Sequence, residues 1–462
     1  MRAGRTHPAR LVAGDGMRAT PPGAVTAIRG AVLTFSGDPF LQDPASCMHY
    51  ESDALVVMAD GRITDVGAAS RLTSRLPADT RVTRYADALI TAGFIDAHVH
   101  YPQTEIIASH GKQLLDWLHD YTFPAEQAFV DAGHARRVAR FFLQECLRAG
   151  TTTAAVFCTV HPGSVDAFFE EADQRGMRML AGKVLMDRNA PEALRDTPQS
   201  GYDDSKAALQ RWHGRGRLLY CVTPRFAATS SPAQLDAASA LWREHPGTYL
   251  QSHIAENRSE IAWIRELFPD RSGYLDVYDH HGALGPRAIY GHGIWLNESE
   301  WARCHETGTA IAHCPTSNTF LGSGLFRLHE ARAAARSVRV ALATDIGGGT
   351  RFSMLATMHE AYKVAQLNGH ALTAPQAFYL ATRGGAHALY LDDRIGSIAP
   401  GMEADVVVLD LKSTPLIAGR MRNCRDLAEA LFVQMTLGDD RAVRATYIAS
   451  RLAYDRDSGL LE

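Results

Sequence analysis

The spacing of hydrophobic and polar positions divides this chain into two β-rich ends and a long middle in which strand and helix patterns alternate. The β-like ranges, rich in Val, Ile and Thr, are 24–35, 54–67, 395–411 and 443–454. Asp60-Gly61 splits the second range into a hairpin because both residues tolerate positive φ, and Pro400-Gly401 marks a turn in the third. Strand patterns at both ends predict one small β-sandwich assembled from the two termini.

The middle of the chain contains eight short apolar runs, each of a length typical of a buried strand. They are residues 93–100, 151–159, 177–186, 218–226, 248–254, 288–295, 309–314 and 338–345. The helical patterns between several of them are 134–149, 164–175, 232–244 and 298–306. Asn297 is placed to cap the last helix and Gly308 to end it. Strands alternating with helices predict an α/β fold, a (β/α)8 TIM barrel.

The length of 462 residues fits one large barrel with a smaller partner. We predict a catalytic barrel at 91–394, a composite β-sandwich domain at 24–90 and 395–462, and a flexible N-terminal extension at 1–23. The range 114–126 breaks the strand–helix alternation, and we predict a long loop there over the exit of the first barrel strand.

Composition and charge exclude several classes of protein. The chain is 46% hydrophobic and 21% charged, with a net charge of −4, so nothing indicates a basic surface for nucleic acid. No apolar run approaches the ~20 residues of a membrane span, and the N-terminus lacks the apolar core of a secretory signal. The seven cysteines include no Cys-x-x-Cys pair, which argues against a disulfide framework and favours a cytoplasmic protein.

Four side chains at the predicted strand ends have the chemistry of a metal site. His98 and His100 point the same way because side chains alternate along a strand. His253 ends the fifth barrel strand and Asp345 the eighth, and the carboxyl ends of barrel strands meet at one rim. Three neutral imidazoles and one carboxylate suit zinc, although these ligand types discriminate poorly against iron or another divalent ion. A His-x-His pair alone also occurs by chance in a polar strand.

Two further residues near the same rim suit proton transfer in a hydrolysis. Glu256 lies three residues past His253 and can take a proton from water, give it to the substrate and later protonate a leaving group. His292 ends the sixth strand and can hydrogen-bond the attacking water, which Asp345 can also orient. The alternatives are a solvated loop glutamate for Glu256 and a turn-capping histidine for His292.

With these residues the sequence resembles a known family, the amidohydrolase superfamily. The segments that carry the resemblance are Gly93-Phe94-Ile95-Asp96-Ala97-His98-Val99-His100 and Gly396-Ser397-Ile398-Ala399-Pro400-Gly401-Met402-Glu403-Ala404-Asp405, together with His253, His292 and Asp345. The resemblance covers about residues 24–455 and implies a metal-dependent aminohydrolase acting on C–N bonds in cyclic amidines.

A narrower resemblance is to the guanine deaminase family. The matching segments are His100-Tyr101-Pro102-Gln103-Thr104, Leu114-Leu115-Asp116-Trp117-Leu118, Tyr121-Thr122-Phe123-Pro124-Ala125-Glu126, Thr223-Pro224-Arg225-Phe226-Ala227, His313-Cys314-Pro315-Thr316-Ser317-Asn318 and Asp345-Ile346-Gly347-Gly348-Gly349-Thr350. The resemblance implies the metal ligands His98, His100, His253 and Asp345, the catalytic residues Glu256, His292 and Asp345, and the purine contacts Gln103, Arg225, Phe226 and Glu256. It also implies hydrolysis of guanine to xanthine and ammonia in purine catabolism, and a homodimer.

The chemistry of the implied purine contacts agrees with that reading. Gln103 can both donate and accept hydrogen bonds, Arg225 can only donate, and Phe226 offers a flat apolar face. The purely structural alternatives are a strand-end salt bridge for Arg225 and core packing for Phe226. The end of strand four holds Thr223, Pro224 and Arg225, where two-metal amidohydrolases usually have a modified lysine, and Lys183 is predicted to be structural. We therefore predict one Zn²⁺ per subunit.

Two rival functions remain open on the sequence alone. Another mononuclear aminohydrolase of the same superfamily would act on a pterin, an oxidised guanine, an S-adenosyl compound or a triazine with the same metal and a different pocket. A non-catalytic scaffold on this fold would be expected to lack metal ligands, whereas all four are present. The unrelated zinc deaminase fold uses Cys-x-x-Cys ligands, and the absence of any such pair excludes it.

Overall fold

The structure is a computed structural model that describes residues 25–78, 80–110 and 113–460. The predicted extension at 1–23 lies outside the described residues. The strands are β1 (Thr26–Phe35), β2 (Met48–Ala59), β3 (Arg62–Ala68), β4 (Arg81–Ala92), β5 (Phe94–His100), β6 (Thr151–Phe157), β7 (Arg178–Gly182), β8 (Val184–Leu185), β9 (Leu219–Pro224), β10 (Tyr249–Ile254), β11 (Ala288–His292), β12 (Ala310–His313), β13 (Arg339–Leu342), β14 (Val406–Asp410), β15 (Val443–Ile448), β16 (Arg451–Asp455) and β17 (Gly459–Leu460).

Helices connect most of these strands and cover the outside of the fold. They are α1 (Pro44–Cys47), α2 (Ala69–Leu72), α3 (Leu114–Trp117), α4 (Phe123–Gln127), α5 (Ala132–Arg148), α6 (Pro162–Arg175), α7 (Pro198–Trp212), α8 (Pro232–Glu244), α9 (Arg258–Leu267), α10 (Tyr274–His280), α11 (Glu298–Thr307), α12 (Pro315–Phe320), α13 (Leu328–Ala331), α14 (Met354–Leu367), α15 (Ala374–Leu380), α16 (Arg383–Ala388), α17 (Pro415–Met421) and α18 (Leu427–Leu437).

The strands from β5 to β13 form a parallel barrel. Their order is β5, β6, β7, β9, β10, β11, β12 and β13, and β8 adds a short pairing to β9. Two hydrogen bonds close the ring between its first and last strands: the Asp345 amide donates to the His98 carbonyl at 3.0 Å, and the His100 amide donates to the Ile346 carbonyl at 3.0 Å. The ring is therefore complete, and the residues that follow β13 lie directly beside the end of β5.

The barrel strands are almost entirely buried, which explains why they appear in the sequence as unbroken apolar runs. Every residue of β5, β6, β7, β11 and β12 is buried. Lys183 interrupts the third run between β7 and β8, and its Nζ lies 2.5 Å from the Asp196 carboxylate, so its role is structural as predicted.

The remaining strands form one mixed sheet built from both ends of the chain. Its order is β17, β16, β15, β14, β4, β1, β2 and β3, so that β14 from the C-terminal part pairs with β4 from the N-terminal part. The sheet encloses its own apolar core, in which the hydroxyls of Tyr85 and Tyr447 lie 2.7 Å apart. The predicted fold class, a (β/α)8 barrel with a small β-structure from both termini, is confirmed.

Buried ion pairs join the mixed sheet to the barrel. Arg178 on β7 donates from Nε to Glu403 at 2.8 Å, and Arg217 donates to Asp405 from Nη1 at 2.9 Å. The Gly93 amide, just before β5, also donates to the Asp405 carbonyl at 2.9 Å. Glu403 and Asp405, which directly precede β14, thus bind the end of the barrel opposite the carboxyl ends of its strands.

Local signals in the sequence placed several boundaries correctly. Asn297 caps α11 by accepting a hydrogen bond from the Glu300 amide, and Gly308 ends that helix in the left-handed region at φ 74°. Asp60 and Gly61 turn the hairpin between β2 and β3 with φ of 49° and 77°. Each of these signals acts within a few residues, so the sequence alone is sufficient to locate it.

Three segments differ from the predictions. Residues 114–126 are not a loop: α3, a π-helical turn at Leu118–Thr122 and α4 follow one another directly. The range 395–411 forms a strand only at β14, because the residues before it serve as connections between the barrel and the mixed sheet. The range 395–462 also contains α17 and α18, and α18 packs against α14 and α15 of the barrel.

Candidate active site

The four predicted metal ligands meet at the rim where the barrel strands end. The Nε2 atoms of His100 and His253 lie 3.0 Å apart, and one donor atom from each of His98, His100 and His253 lies within 4.8 Å of the others. Asp345 Oδ1 is 3.5 Å from His98 Nε2 and 3.4 Å from His100 Nε2. The two residues from β5, one from β10 and one that follows β13 therefore converge on one point.

Backbone geometry at the strand ends aims these side chains inward. The alternation of β5 gives His98 and His100 the same face, while Asp345 adopts φ 51° in the left-handed region. His253 Nδ1 lies 2.6 Å from the Arg225 carbonyl, which leaves its Nε2 facing the other histidines. A ring nitrogen held by a carbonyl in this way is a common support for a metal-binding histidine.

Burial keeps the imidazoles of this cluster neutral. It lowers the pKa of His98 and places the pKa values of His100 and His253 well below their ordinary value, and the neighbouring imidazoles deepen the lowering for the latter two. The pKa of Asp345 is also lowered: burial opposes ionisation, but the interaction with the neighbouring imidazole of His98 outweighs it. The donor set thus consists of neutral nitrogens and one carboxylate, the forms in which these groups bind metals.

These donors fit a divalent metal ion. His98 Nε2 is buried and makes no hydrogen bond among the described residues, although Asp345 lies nearby. A buried nitrogen without a hydrogen-bond partner that faces two further imidazoles and a carboxylate has the chemistry of a metal ligand.

Glu256 and His292 lie next to the cluster. Glu256 Oε2 is 3.4 Å from His292 Nε2, which is 3.8 Å from Asp345 Oδ2. Ser323 donates from its hydroxyl to the other Glu256 oxygen at 3.1 Å, and His292 Nδ1 lies 2.8 Å from the Asn318 side-chain oxygen. Glu256 and His292 are therefore each positioned by a hydrogen bond with a neutral polar side chain, on the side away from their mutual contact.

The protonation of this pair is tuned by its surroundings. Burial raises the pKa of Glu256 to about 7; the charge of Asp345 adds to the rise, and that of His292 opposes it. Burial lowers the pKa of His292, but the carboxylates of Glu256 and Asp345 raise it more, so the net shift is upward. A carboxyl group whose pKa lies near neutrality can both accept and donate a proton.

A second carboxylate, Glu260, fixes the backbone that carries Glu256. It accepts hydrogen bonds from the amides of Glu256 at 2.9 Å and Asn257 at 3.1 Å, and from the Tyr274 hydroxyl at 2.7 Å. It also completes the capping box of α9 with Asn257. The turn between β10 and α9 is held in place by these bonds, and with it the position of Glu256.

A cleft of about 430 Å³, including the part open to solvent, lies above the cluster. Its lining contains His100, Gln103, Leu114, Trp117, Leu118, Arg225, Phe226, His253, Glu256, Glu260, His292, Leu321, Asp345 and Gly348. The lining includes all the predicted substrate contacts: Gln103, Arg225, Phe226 and Glu256. The helical segment that begins with α3 supplies three apolar side chains, so it covers the strand exit as predicted although it is not a loop.

Arg225 forms the salt bridge that was the alternative interpretation of this residue, and its partner, Glu126, was not predicted. Arg225 Nη1 donates to both oxygens of Glu126, at 2.8 Å and 2.9 Å, and Gln103 Nε2 donates to the same carboxylate at 3.3 Å. Glu126 belongs to α4 and is fully buried. The only signal for it was its place in a family-like segment, since the partners are far apart in sequence.

Two residues at strand ends lie outside the cleft lining. His313 is fully buried and stacks on Phe326, with ring centroids 4.6 Å apart. Cys314 is buried, and its thiol donates to the Ala312 carbonyl at 3.4 Å; its sulphur also belongs to a group with His98, His292 and Asp345 whose donor atoms lie within 4.8 Å of one another. A position at a strand end is therefore not sufficient to bring a side chain to the substrate.

Comparison with known proteins identifies the family. The model of the amidohydrolase family matches residues 89–452. The chain therefore belongs to the amidohydrolase family, as its barrel and metal-type cluster indicate. The resemblance to guanine deaminases is also confirmed: the guanine deaminase of Escherichia coli (strain K12) is 50% identical over 416 residues, which cover 90% of this chain and 94% of that protein.

Solved structures agree with this assignment. The structure of E. coli guanine deaminase matches with a TM-score of 0.90 and 47% identity, covering 94% of this chain and 99% of that one. A guanine deaminase from C. acetobutylicum, solved with guanine bound in the active site, matches with a TM-score of 0.81 and 26% identity, covering 93% and 99%. Among the described residues, no helix has the length and apolar character needed to cross a membrane.

Proposed function

We propose that this chain catalyses the hydrolytic deamination of guanine to xanthine and ammonia, a step of guanine and purine catabolism. The observation that carries the proposal is the convergence, at the floor of one cleft, of a donor set for one metal ion with the paired Glu256 and His292. Gln103 and Arg225 line the same cleft, and both offer hydrogen bonds suited to the edge of an oxopurine.

His98, His100, His253 and Asp345 would hold one zinc ion per subunit. When bound, such an ion makes an attacking water far more acidic and stabilises the developing charge. Zinc fits neutral imidazoles and a carboxylate, and the burial of His98, His100 and Asp345 limits access of bulk solvent to this donor set.

Glu256 acts as the proton shuttle in the proposed reaction. Its carboxylate accepts a proton from the attacking water and delivers it to a ring nitrogen, which makes the ring carbon more electrophilic. A bond forms between the water oxygen and the carbon that bears the amino group, and the bond from that carbon to the amino nitrogen then breaks. Glu256 carries the second water proton to the departing nitrogen, so that ammonia leaves and xanthine remains. The pKa of Glu256, raised by burial to about 7, suits both directions of transfer.

His292 and Asp345 orient the water, and three residues orient the ring. His292 Nε2 faces both Glu256 and Asp345, a position from which it can bond to the oxygen that attacks. Arg225 donates to a carbonyl oxygen of the purine, Gln103 bonds to an adjacent edge, and Phe226 packs against the ring face.

We further propose the wider setting of this enzyme. The protein acts in the cytoplasm, without nucleic acid or membrane partners, in agreement with its charge and composition. Its assembly as a homodimer is supported by the resemblance to guanine deaminases alone. Its catalytic barrel spans 91–394 and its composite β-domain spans 24–90 and 395–462.

The test is steady-state release of ammonia and xanthine from guanine by zinc-loaded protein, with pterin, 8-oxoguanine, S-adenosylhomocysteine and triazine substrates as alternatives. Glu256→Gln is expected to keep its metal and lose turnover by ~10²-fold or more, because the amide cannot shuttle protons. Glu266→Gln, an exposed change on α9, is the matched control. Release of ammonia from another ring but not from guanine would refute the substrate, and full activity of Glu256→Gln would refute the shuttle.

A further inference from the structure

Glu126 joins the two polar side chains that we propose to recognise the purine. Its carboxylate accepts both Nη1 contacts of Arg225, at 2.8 Å and 2.9 Å, and the Nε2 contact of Gln103 at 3.3 Å. Glu126 is 0% exposed, Arg225 2% and Gln103 4%. The three groups therefore form one buried unit, which supplies the wall of the cleft through Gln103 and Arg225.

The charge of this unit is zero. A guanidinium stays protonated in proteins, so Arg225 alone would place a full positive charge beside the cleft. Glu126 offsets that charge within hydrogen-bond distance, and the low polarisability of a buried site makes the compensation effective. The nitrogens of Arg225 that do not contact Glu126, Nε and Nη2, still offer N–H groups to a ligand, as donors of a neutral pair.

The same carboxylate determines which atom of Gln103 faces a ligand. An ionised carboxylate only accepts hydrogen bonds, so the amide nitrogen of Gln103 is the atom that points at Glu126. The amide oxygen is then left to accept a hydrogen bond from a ring N–H. Donors from Arg225 beside an acceptor from Gln103 match a neutral oxopurine, in which a carbonyl stands next to an N–H.

We propose that Glu126 is a specificity-determining positioning residue that makes the cleft select neutral oxopurines and reject anionic ones. This inference rests on the proposed function, because it names how the same site discriminates among purines. Its consequence is chemical: an oxopurine that has lost a ring proton presents a negative charge, and its deprotonated nitrogen is an acceptor. It finds no net cation in this wall and, opposite that nitrogen, no matching donor.

The experiment measures binding of two purines that have no exocyclic amino group and cannot be deaminated: hypoxanthine, which is neutral at pH 7.5, and urate, which is an anion. Equilibrium dialysis with zinc-loaded protein gives the ratio of the two dissociation constants. In Glu126→Gln the charge of Arg225 is no longer offset, and the ratio is expected to shift toward urate by about tenfold or more. Glu105→Gln, the same change on a side chain 58% exposed, is the control and should leave the ratio unchanged.

A second variant tests the sign of the effect. Arg225→Gln leaves Glu126 as the only charge of the unit, so the ratio is expected to shift further against urate while hypoxanthine binding weakens. If Glu126→Gln does not fold, as judged by circular dichroism and metal content, the shift in Arg225→Gln decides the question alone.

The outcomes separate this inference from the proposed function. A wild type that releases ammonia from guanine, combined with an unchanged ratio in Glu126→Gln, would overturn the role of Glu126 and leave the function standing. Equal weakening of both purines would likewise overturn it, because a merely structural residue has that effect. A wild type that neither binds hypoxanthine nor deaminates guanine would overturn both.

Discussion

One contribution to the acid sensitivity of this fold can be predicted from a buried histidine, His313. Its ring is fully buried at the end of β12 and stacks on Phe326, and neither ring nitrogen has a hydrogen-bond partner among the described residues. Burial lowers the pKa of His313 from 6.5 to about 3, with the charge of His292 contributing in the same direction. The folded protein therefore keeps this ring neutral at a pH where an exposed histidine would bind a proton.

The sign and size of the effect follow from proton linkage. The unfolded chain binds the proton near pH 6.5 and the folded chain only near pH 3, so stability falls as the pH drops through this window. At pH 5 the loss amounts to about 2 kcal/mol, because each pH unit below 6.5 contributes ~1.4 kcal/mol. The unfolding entropy of a chain this long is about 1 kcal/mol per kelvin, so the melting temperature falls by roughly 2 °C through this residue.

The assay compares wild type with His313→Gln, both stripped of metal with a chelator, by thermal unfolding at pH 7 and pH 5. The substitution removes packing against Phe326 at every pH, but only the wild type has the titrating ring. The melting temperatures of the two proteins are therefore expected to approach each other by about 2 °C on acidification. His305→Gln, on the exposed surface of α11, serves as the control. A gap between wild type and His313→Gln that is the same at both pH values would refute the reasoning.

Two further variants test the metal cluster and its support. Asp345→Ala removes the only carboxylate proposed as a metal ligand and is expected to lose metal and activity together. Elemental analysis and ammonia release measure the two losses. Tightly held metal with normal turnover would contradict the proposed role of Asp345. Asn318→Ala removes the side-chain oxygen that lies 2.8 Å from His292 Nδ1. This variant is expected to lower turnover by about 10- to 100-fold while the metal content stays unchanged. An unchanged kcat would show that this contact is dispensable.

The barrel was predictable because its signals are local. A parallel strand buried on both faces must be apolar along its whole length, so each barrel strand forms a short run that the sequence displays directly. The strand ends then followed, and with them His98, His100, His253 and Asp345, since the barrel brings those ends together. The caps of α11 were equally local.

The parts that failed depend on partners distant in the chain. Glu126 lies in a segment that was predicted as a loop, and Arg225, its partner, is 99 residues further along. The residues before β14 look like a strand by composition, but contacts with the barrel hold them in another conformation. His313 shows a related limit, because its ring turns to Phe326 and away from the cleft although it ends a barrel strand.

The closure of the barrel between β5 and β13 has a consequence for the synthesis of the chain on the ribosome. Asp96 and Thr344, which bond across this junction, are separated by 248 residues, and the proposed ligands His98 and Asp345 flank them. A nascent chain emerging from the ribosome exposes His98 and His100 early and His253 only past its midpoint, and it acquires the Asp345 carboxylate after most of the barrel has been translated. The full set of proposed metal ligands is thus complete only late in synthesis, and a truncated product that ends before Asp345 lacks one member of that set.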